Sequence, residues 1–216
     1  MLKNTERIID SELSSHVFQD IDLANLYRGS SARRYGLVNK ALRAHELIRL
    51  RRGLYMLALK YQKSNFSLYY LANHIVPYSF VTAESALQFH QWIPERTSQV
   101  TSVAAFGRER QFANVMGQFV YLAPPITSLD KFFIGVLNQQ IEDQAVWIAT
   151  PLRALIDYVL WHKIDNANLQ FLNTSLRIEE EYLNTIKKED IKSLAPIYKS
   201  KRVAQFLKNL LHEVNA

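Results

Sequence analysis

Cysteine is absent from the 216 residues, which excludes disulfides, thiolate metal sites and a cysteine nucleophile. Glycine is scarce, at six residues, and none forms the glycine-rich loop that cradles a nucleotide phosphate. No apolar run approaches the roughly 20 residues that span a bilayer. The segment Met1 to Asp10 is charged where a secretion signal would be hydrophobic, so a soluble, cytoplasmic protein with no membrane partner is expected. The six histidines (His16, His45, His74, His90, His162, His212) are scattered and show no HExxH spacing, so neither a metal site nor a cofactor is expected. Ser85 has no base beside it in sequence, and Glu84 and His90, six positions apart, do not share a helical face. A hydrolase needs nucleophile, base and orienter together, and a metal nuclease needs paired carboxylates with a lysine. With neither pattern present, no catalytic residues are assigned and no enzyme is expected.

What the chain does have is the composition of a globular protein, 48% hydrophobic and 21% charged, enough for one large domain or for a small and a larger one. Its net charge of +6 is unevenly placed. Between Arg28 and Arg52 stand eight cations (Arg28, Arg33, Arg34, Lys40, Arg43, Arg49, Arg51, Arg52) and one acid, Glu46. Taking those from the 26 basic and 20 acidic residues of the whole chain leaves 18 and 19, a formal −1 everywhere else. A cationic excess confined to one segment is the footprint of a polyanion-binding surface.

The pattern around that segment predicts three short helices and a hairpin. Thr5 is placed to cap a first helix from Glu6 to about Leu13, and Asp20 or Asp22 to cap a second carrying Leu23, Leu26 and Tyr27. Arg28-Gly29-Ser30-Ser31 breaks the periodicity, with Ser30 and Ser31 as capping residues of a third helix over about Ala32 to His45. Tyr35, Val38 and Leu42 read as its buried stripe. The opposite face presents Arg33, Leu37, Lys40 and Ala44, flanked by Gly36 and Arg43, with Arg34 to one side. Ile48-Arg49-Leu50-Arg51 then alternates, Arg52-Gly53 turns, and Leu54 to Leu57 returns as a second strand. Helix, turn, helix and basic hairpin in this order predict a winged helix-turn-helix, with one helix in the major groove and the hairpin along the backbone.

The expected fold class is therefore α+β: a winged helix-turn-helix domain at residues 1–60, a helical connector at 61–77, and a larger mixed α/β domain at 78–216 that ends in helices. In the larger part, Thr82 to His90 reads as a helix capped by Thr82, and Val100 to Phe106 and Phe119 to Leu122 as strands. Thr150-Pro151 opens another helix through Asp157. Gly107 to Arg110 reads as a polar hairpin turn, and Ala167 to Val214 has helical spacing broken near Ala195-Pro196. The three glutamates from Glu179 to Glu181 read as a solvated helix face.

Four stretches resemble the AbiEi antitoxins of type IV toxin-antitoxin systems: Arg33 to Leu42, Leu47 to Tyr55, Tyr78 to His90 with Ser85-Ala86-Leu87, and Ala149 to Asp157. The resemblance extends over about the first 160 residues. It implies a transcriptional autorepressor that binds double-stranded DNA at inverted repeats upstream of its own operon. It further implies a C-terminal domain that counteracts a cognate nucleotidyltransferase toxin, with no stable complex required. Carried over, the DNA-binding residues are Arg33, Arg34, Lys40, Arg43, Arg49, Arg51 and Arg52, with Gly36 permitting close approach. The alternative is a ligand-responsive winged-helix transcription regulator.

Overall fold

The computed structural model describes residues 1–124, 128–165 and 167–213. The fold is α+β. The N-terminal part runs α1 (Lys3–Ile9), β1 (Phe18–Gln19), α2 (Asp20–Leu26), α3 (Ser31–Arg43), β2 (Leu47–Arg51) and β3 (Leu54–Leu57). The three strands form one antiparallel sheet in the order β1-β3-β2. The three helices and this sheet enclose a core of Ile8, Phe18, Leu23, Tyr27, Val38, Ala41, Leu47, Tyr55 and Leu57.

Two helix starts differ from expectation. Thr5 is not a cap but a fully buried residue inside α1, whose hydroxyl donates to the Glu46 carboxylate at 2.5 Å. The residue capping α2 is Gln19, and Asp22 reaches back to accept from the Gln19 amide at 2.6 Å. Ser30 caps α3 as expected, accepting from the Arg33 amide, an interaction worth about 1 kcal/mol.

Glu46 is only 6% exposed and ties the chain start to the α3–β2 junction. Besides Thr5, it accepts from the Leu2 amide at 3.1 Å and lies 3.7 Å from the N-terminal ammonium. Burial opposes its charge, but Thr5, Leu2, the ammonium and Lys60 outweigh burial and hold the carboxyl below its ordinary value of 4.5. A depressed acid pKa stabilises the fold above the unfolded value, and that stabilisation is lost as pH falls through the folded one. Glu46→Gln should therefore melt lower than the parent at neutral pH, and the gap should close on acidification below about pH 4.5. A gap that stays constant with pH would show that the charge of Glu46 contributes nothing.

The larger part comprises α4 (Leu68–Ile75), β4 (Ser79–Val81), α5 (Ala83–Phe89), β5 (Gln99–Ala104), β6 (Arg110–Asn114), β7 (Gly117–Leu122), β8 (Val136–Ile141), β9 (Gln144–Ala149) and α6 (Pro151–Trp161). After these come α7 (Leu169–Ser175), α8 (Glu180–Leu183), α9 (Lys188–Leu194) and α10 (Lys201–Glu213). Its six strands form a mixed sheet in the order β6-β7-β5-β4-β9-β8. Strand β7 lies between β5 and β6, so the Gly107–Arg110 segment connects non-neighbouring strands and is not the hairpin turn expected. The C-terminal stretch is helical as expected but in four pieces, interrupted at 176–179 and 184–187 as well as at the expected break, where the 3-10 turn Ala195–Ile197 and residues 198–200 separate α9 from α10. Val214 lies outside the described residues.

Alternation along the strands places α4 on one face of the sheet and α6 on the other. The Tyr121 hydroxyl donates to the Ala72 carbonyl of α4 at 2.7 Å, whereas Phe80 packs under the Arg153 guanidinium of α6. From the segment expected as a helical connector, Phe66, Leu71, Ala72, Ile75 and Val76 pack in the same core as the six-stranded sheet.

The hairpin β2–β3 is a wall shared by both cores. Leu47, Tyr55 and Leu57 point into the N-terminal core, while Leu50, Leu54 and Met56 point into the larger one. Period-two alternation sends successive side chains to opposite faces, and here both faces are apolar. Each fully buried Leu or Met side chain contributes roughly 1.5–3 kcal/mol, so the hairpin fastens the two parts together.

Candidate nucleic-acid interface

Of the stripe expected to face inward on α3, Val38 and Leu42 pack in the core and Tyr35 does not. Val38 and Ala41 are buried and Leu37 and Leu42 half-buried, whereas Tyr35 is 69% exposed. The inward stripe therefore runs through Arg34, Leu37, Val38 and Ala41, an i, i+3, i+4, i+7 set. Tyr35 lies beyond its edge, because α1 and the sheet fill only the other side. Leu37, expected on the outer face, packs against the core instead, and its carbonyl accepts from Asn4.

The outer face keeps the expected cations. Arg33, Gly36, Lys40, Arg43 and Ala44 are all exposed. A methyl group added at Gly36 would meet nothing within 4 Å, so this face has open space at its centre. The side chain of Arg33 folds back over Gly29, and Arg34 donates to the Gly29 carbonyl at 2.7 Å, bracing the turn before the helix.

On the hairpin, Arg49 and Arg52 are exposed and Arg51 is not free. Its Nε donates to the Ile75 carbonyl at the end of α4 at 2.6 Å, and its Nη1 to the Arg52 carbonyl at 3.0 Å. A shift in strand register between Arg49 and Arg51 turns Arg51 toward the larger domain. Gly53, at φ +75°, makes the tight reversal that follows; a methyl group there would also press on the Asp20 carboxylate. Arg51→Ala should accordingly cost about 1.5–3 kcal/mol of stability, the worth of hydrogen bonds from a charged donor. Thermal unfolding measures this, and a melting temperature equal to the parent's would show that the Ile75 bond holds nothing in place.

The single acid in the basic window, Glu46, is folded inside, so the surface formed by Arg33, Lys40, Arg43, Arg49 and Arg52 carries no opposing charge from that segment. Tyr35, expected in the core, is exposed on the same helix, and Asn39 and Lys60, to which the sequence assigned no role, lie beside Arg43 and Arg49. The weak apolar pair Leu37 and Val38, one turn before Ala41, was the signal that would have placed Tyr35 outside.

Elsewhere the polar groups serve the fold. Ser85 donates to the Gln99 carbonyl and accepts from the Thr101 amide, which occupies its hydroxyl. Burial lowers the pKa of His90 and of His74, against carbonyl bonds from Ala149 and Tyr70. In each, a ring nitrogen donates to that carbonyl. His162 meets Glu84 at the surface. Among the described residues, no group of three or more His, Asp or Glu side chains is placed to hold a metal ion, and no helix is long and apolar enough to cross a membrane.

The most buried polar cluster joins α6 to its surroundings. Asp157 accepts from the hydroxyls of Thr82 at 2.7 Å and Tyr198 at 2.5 Å, and from Arg153 Nε at 3.4 Å. Thr82 precedes α5 but makes no capping bond, its hydroxyl being used here. Arg153 also donates to the Ile134 carbonyl. Complete burial pushes the Asp157 carboxyl up, against the pull of Arg153, Tyr198 and Thr82. Burial likewise works against the Arg153 charge, yet Asp157 and Tyr198 hold that group above its usual value. Gly135, at φ +70°, fits beside this cluster because a methyl group would stand 2.7 Å from Leu194 and 3.2 Å from the Arg153 Cβ.

No protein-family model matches the chain, and no curated protein sequence does.

Proposed function

We propose that residues 1–60 act as a winged helix-turn-helix that binds double-stranded DNA, with α3 in the major groove and the β2–β3 hairpin against the backbone. The observation that carries this reading is the exposed cationic surface of Arg33, Lys40 and Arg43 on one face of α3, continued by Arg49 and Arg52 on the hairpin, with Glu46, the one acid of that segment, buried. The element order, helices followed directly by a hairpin, supports it as well. Thirteen residues make α3 about 20 Å long, ample to lie across a groove about 12 Å wide. Arg33 and Lys40 face base edges in this reading, with Gly36 allowing approach; Arg43, Arg49 and Arg52 neutralise phosphates.

The resemblance to AbiEi antitoxins extends the proposal to an autorepressor acting at inverted repeats upstream of its own operon. By the same resemblance the domain after residue 60 counteracts a nucleotidyltransferase toxin. Two of the four stretches carrying the resemblance meet in space, through the bond from Thr82 to Asp157.

The test is fluorescence anisotropy of the whole chain with its upstream duplex and with a scrambled duplex, across a salt series. The proposal requires preference for the upstream sequence and a log–log salt slope of about 0.9 per neutralised phosphate. Equal, weak binding to both duplexes would reduce the surface to a non-specific basic patch.

A further inference from the structure

A cleft of about 970 Å³ opens between the C-terminal end of α3, the strand β2 and the β6–β7 turn. Its apolar lining includes Leu42, Ile48, Leu59, Phe112 and Val115, and Leu59 and Val115 are 57% and 82% exposed. Its cations are Arg43, Arg49, Arg51, Arg52 and Lys60, and no acidic residue lines it. With Arg51 bound to the Ile75 carbonyl and Lys60 over the Tyr61 ring, the exposed Arg43, Arg49 and Arg52 are the cations placed to meet a ligand. A surface for the DNA backbone alone needs the cations but not the apolar wall beside them.

The cleft is held in shape from both sides. Asn114, in the last position of β6, donates to the Leu50 carbonyl of the hairpin at 3.1 Å and accepts from the Met116 amide at 2.8 Å. Arg51 fastens the same hairpin to α4. Preformed concavity, apolar walls and a few convergent charges are the attributes of a small-molecule site, and the volume falls within the range of such sites.

We infer that this cleft binds an amphipathic organic anion, a molecule with one acidic head group and an apolar body. The head meets Arg43 and Arg49, and the body lies along Ile48, Leu59 and Phe112. Arg43 and Arg49 are also assigned to DNA above, so ligand and duplex compete; this last step rests on the DNA reading, whereas the site itself does not.

The probe is anilinonaphthalene sulfonate, whose fluorescence rises in an apolar site, titrated into the whole chain without DNA. A saturable single-site rise is expected, displaced by decanoate but not by inorganic phosphate at matched ionic strength. Leu59→Asp and Val115→Glu, both at exposed positions, place an acid among the cations and should each weaken the probe at least tenfold with an unchanged melting temperature. The inference is overturned by the absence of a rise, by a rise that both variants leave intact, or by phosphate displacing as well as decanoate. A last arm adds the upstream duplex: release of the probe supports the shared surface. Retention of the probe, with its binding otherwise as described, overturns the assignment of Arg43 and Arg49 to DNA and leaves the ligand site standing.

Discussion

Asp157→Ala is expected to destabilise the protein by about 3–5 kcal/mol, the usual consequence of removing one partner of a buried ion pair. Arg153 and Asp157 are both inaccessible to solvent, so the guanidinium left behind has no water to turn to. The hydroxyls of Thr82 and Tyr198 lose their acceptor in the same step. For a chain of this size each kcal/mol corresponds to roughly 2–4 °C of melting temperature, so the midpoint should fall by about 10 °C. Asp157→Asn retains the volume and an acceptor oxygen and should fall between the two. Thermal unfolding followed by circular dichroism measures this, and a midpoint within a degree or two of the parent would mean that the cluster tolerates an uncompensated charge. Because the cluster joins α6, the start of α5 and the segment before α10, its loss should loosen the C-terminal helices before the N-terminal core.

The second large effect is on DNA. The double variant Arg33→Ala/Lys40→Ala should reduce affinity for the upstream duplex by roughly a hundredfold, at about 1–3 kcal/mol for each side chain that reads a base edge. Both side chains are exposed, so the melting temperature should not change. Affinity for scrambled DNA should fall much less, and the ratio between the two duplexes should collapse. Arg49→Ala is the contrasting case: it should weaken both duplexes alike and lower the salt slope by about one unit. If the double variant lost upstream and scrambled binding in equal proportion, α3 would be a phosphate-binding element and base reading would have to lie elsewhere.

Much of the N-terminal part could be read from local chemistry. Ser30 begins α3 because its hydroxyl satisfies a free helix amide, a relation between residues three apart. Arg52-Gly53 turns the hairpin, and Thr150-Pro151 opens α6, for equally local reasons. The same reasoning failed at Thr5 and Thr82. Both have capping chemistry, yet their hydroxyls are taken by carboxylates 41 and 75 residues away. Strands β8 and β9 were not anticipated either. Val136–Ile141 carries three amide side chains, Asn138, Gln139 and Gln140, and forms a strand by pairing with Gln144–Ala149 at the edge of the sheet; nothing in its own composition demands one.

The sequence by itself determined where the positive charge lies, where the main helices start and where the basic hairpin turns, because charge, caps and turn residues act over a few positions. Only the tertiary structure decided which way those features face. Tyr35 was turned outward because the core closed around Val38 and Ala41. Glu46 was drawn inside by the chain start, removing from the basic surface the one acid of its own segment. Arg51 was taken from that surface by a carbonyl of α4, and the hairpin became a wall between two cores because both of its faces are apolar. Each of these outcomes depends on a partner distant in sequence, and burial is settled only when that partner arrives.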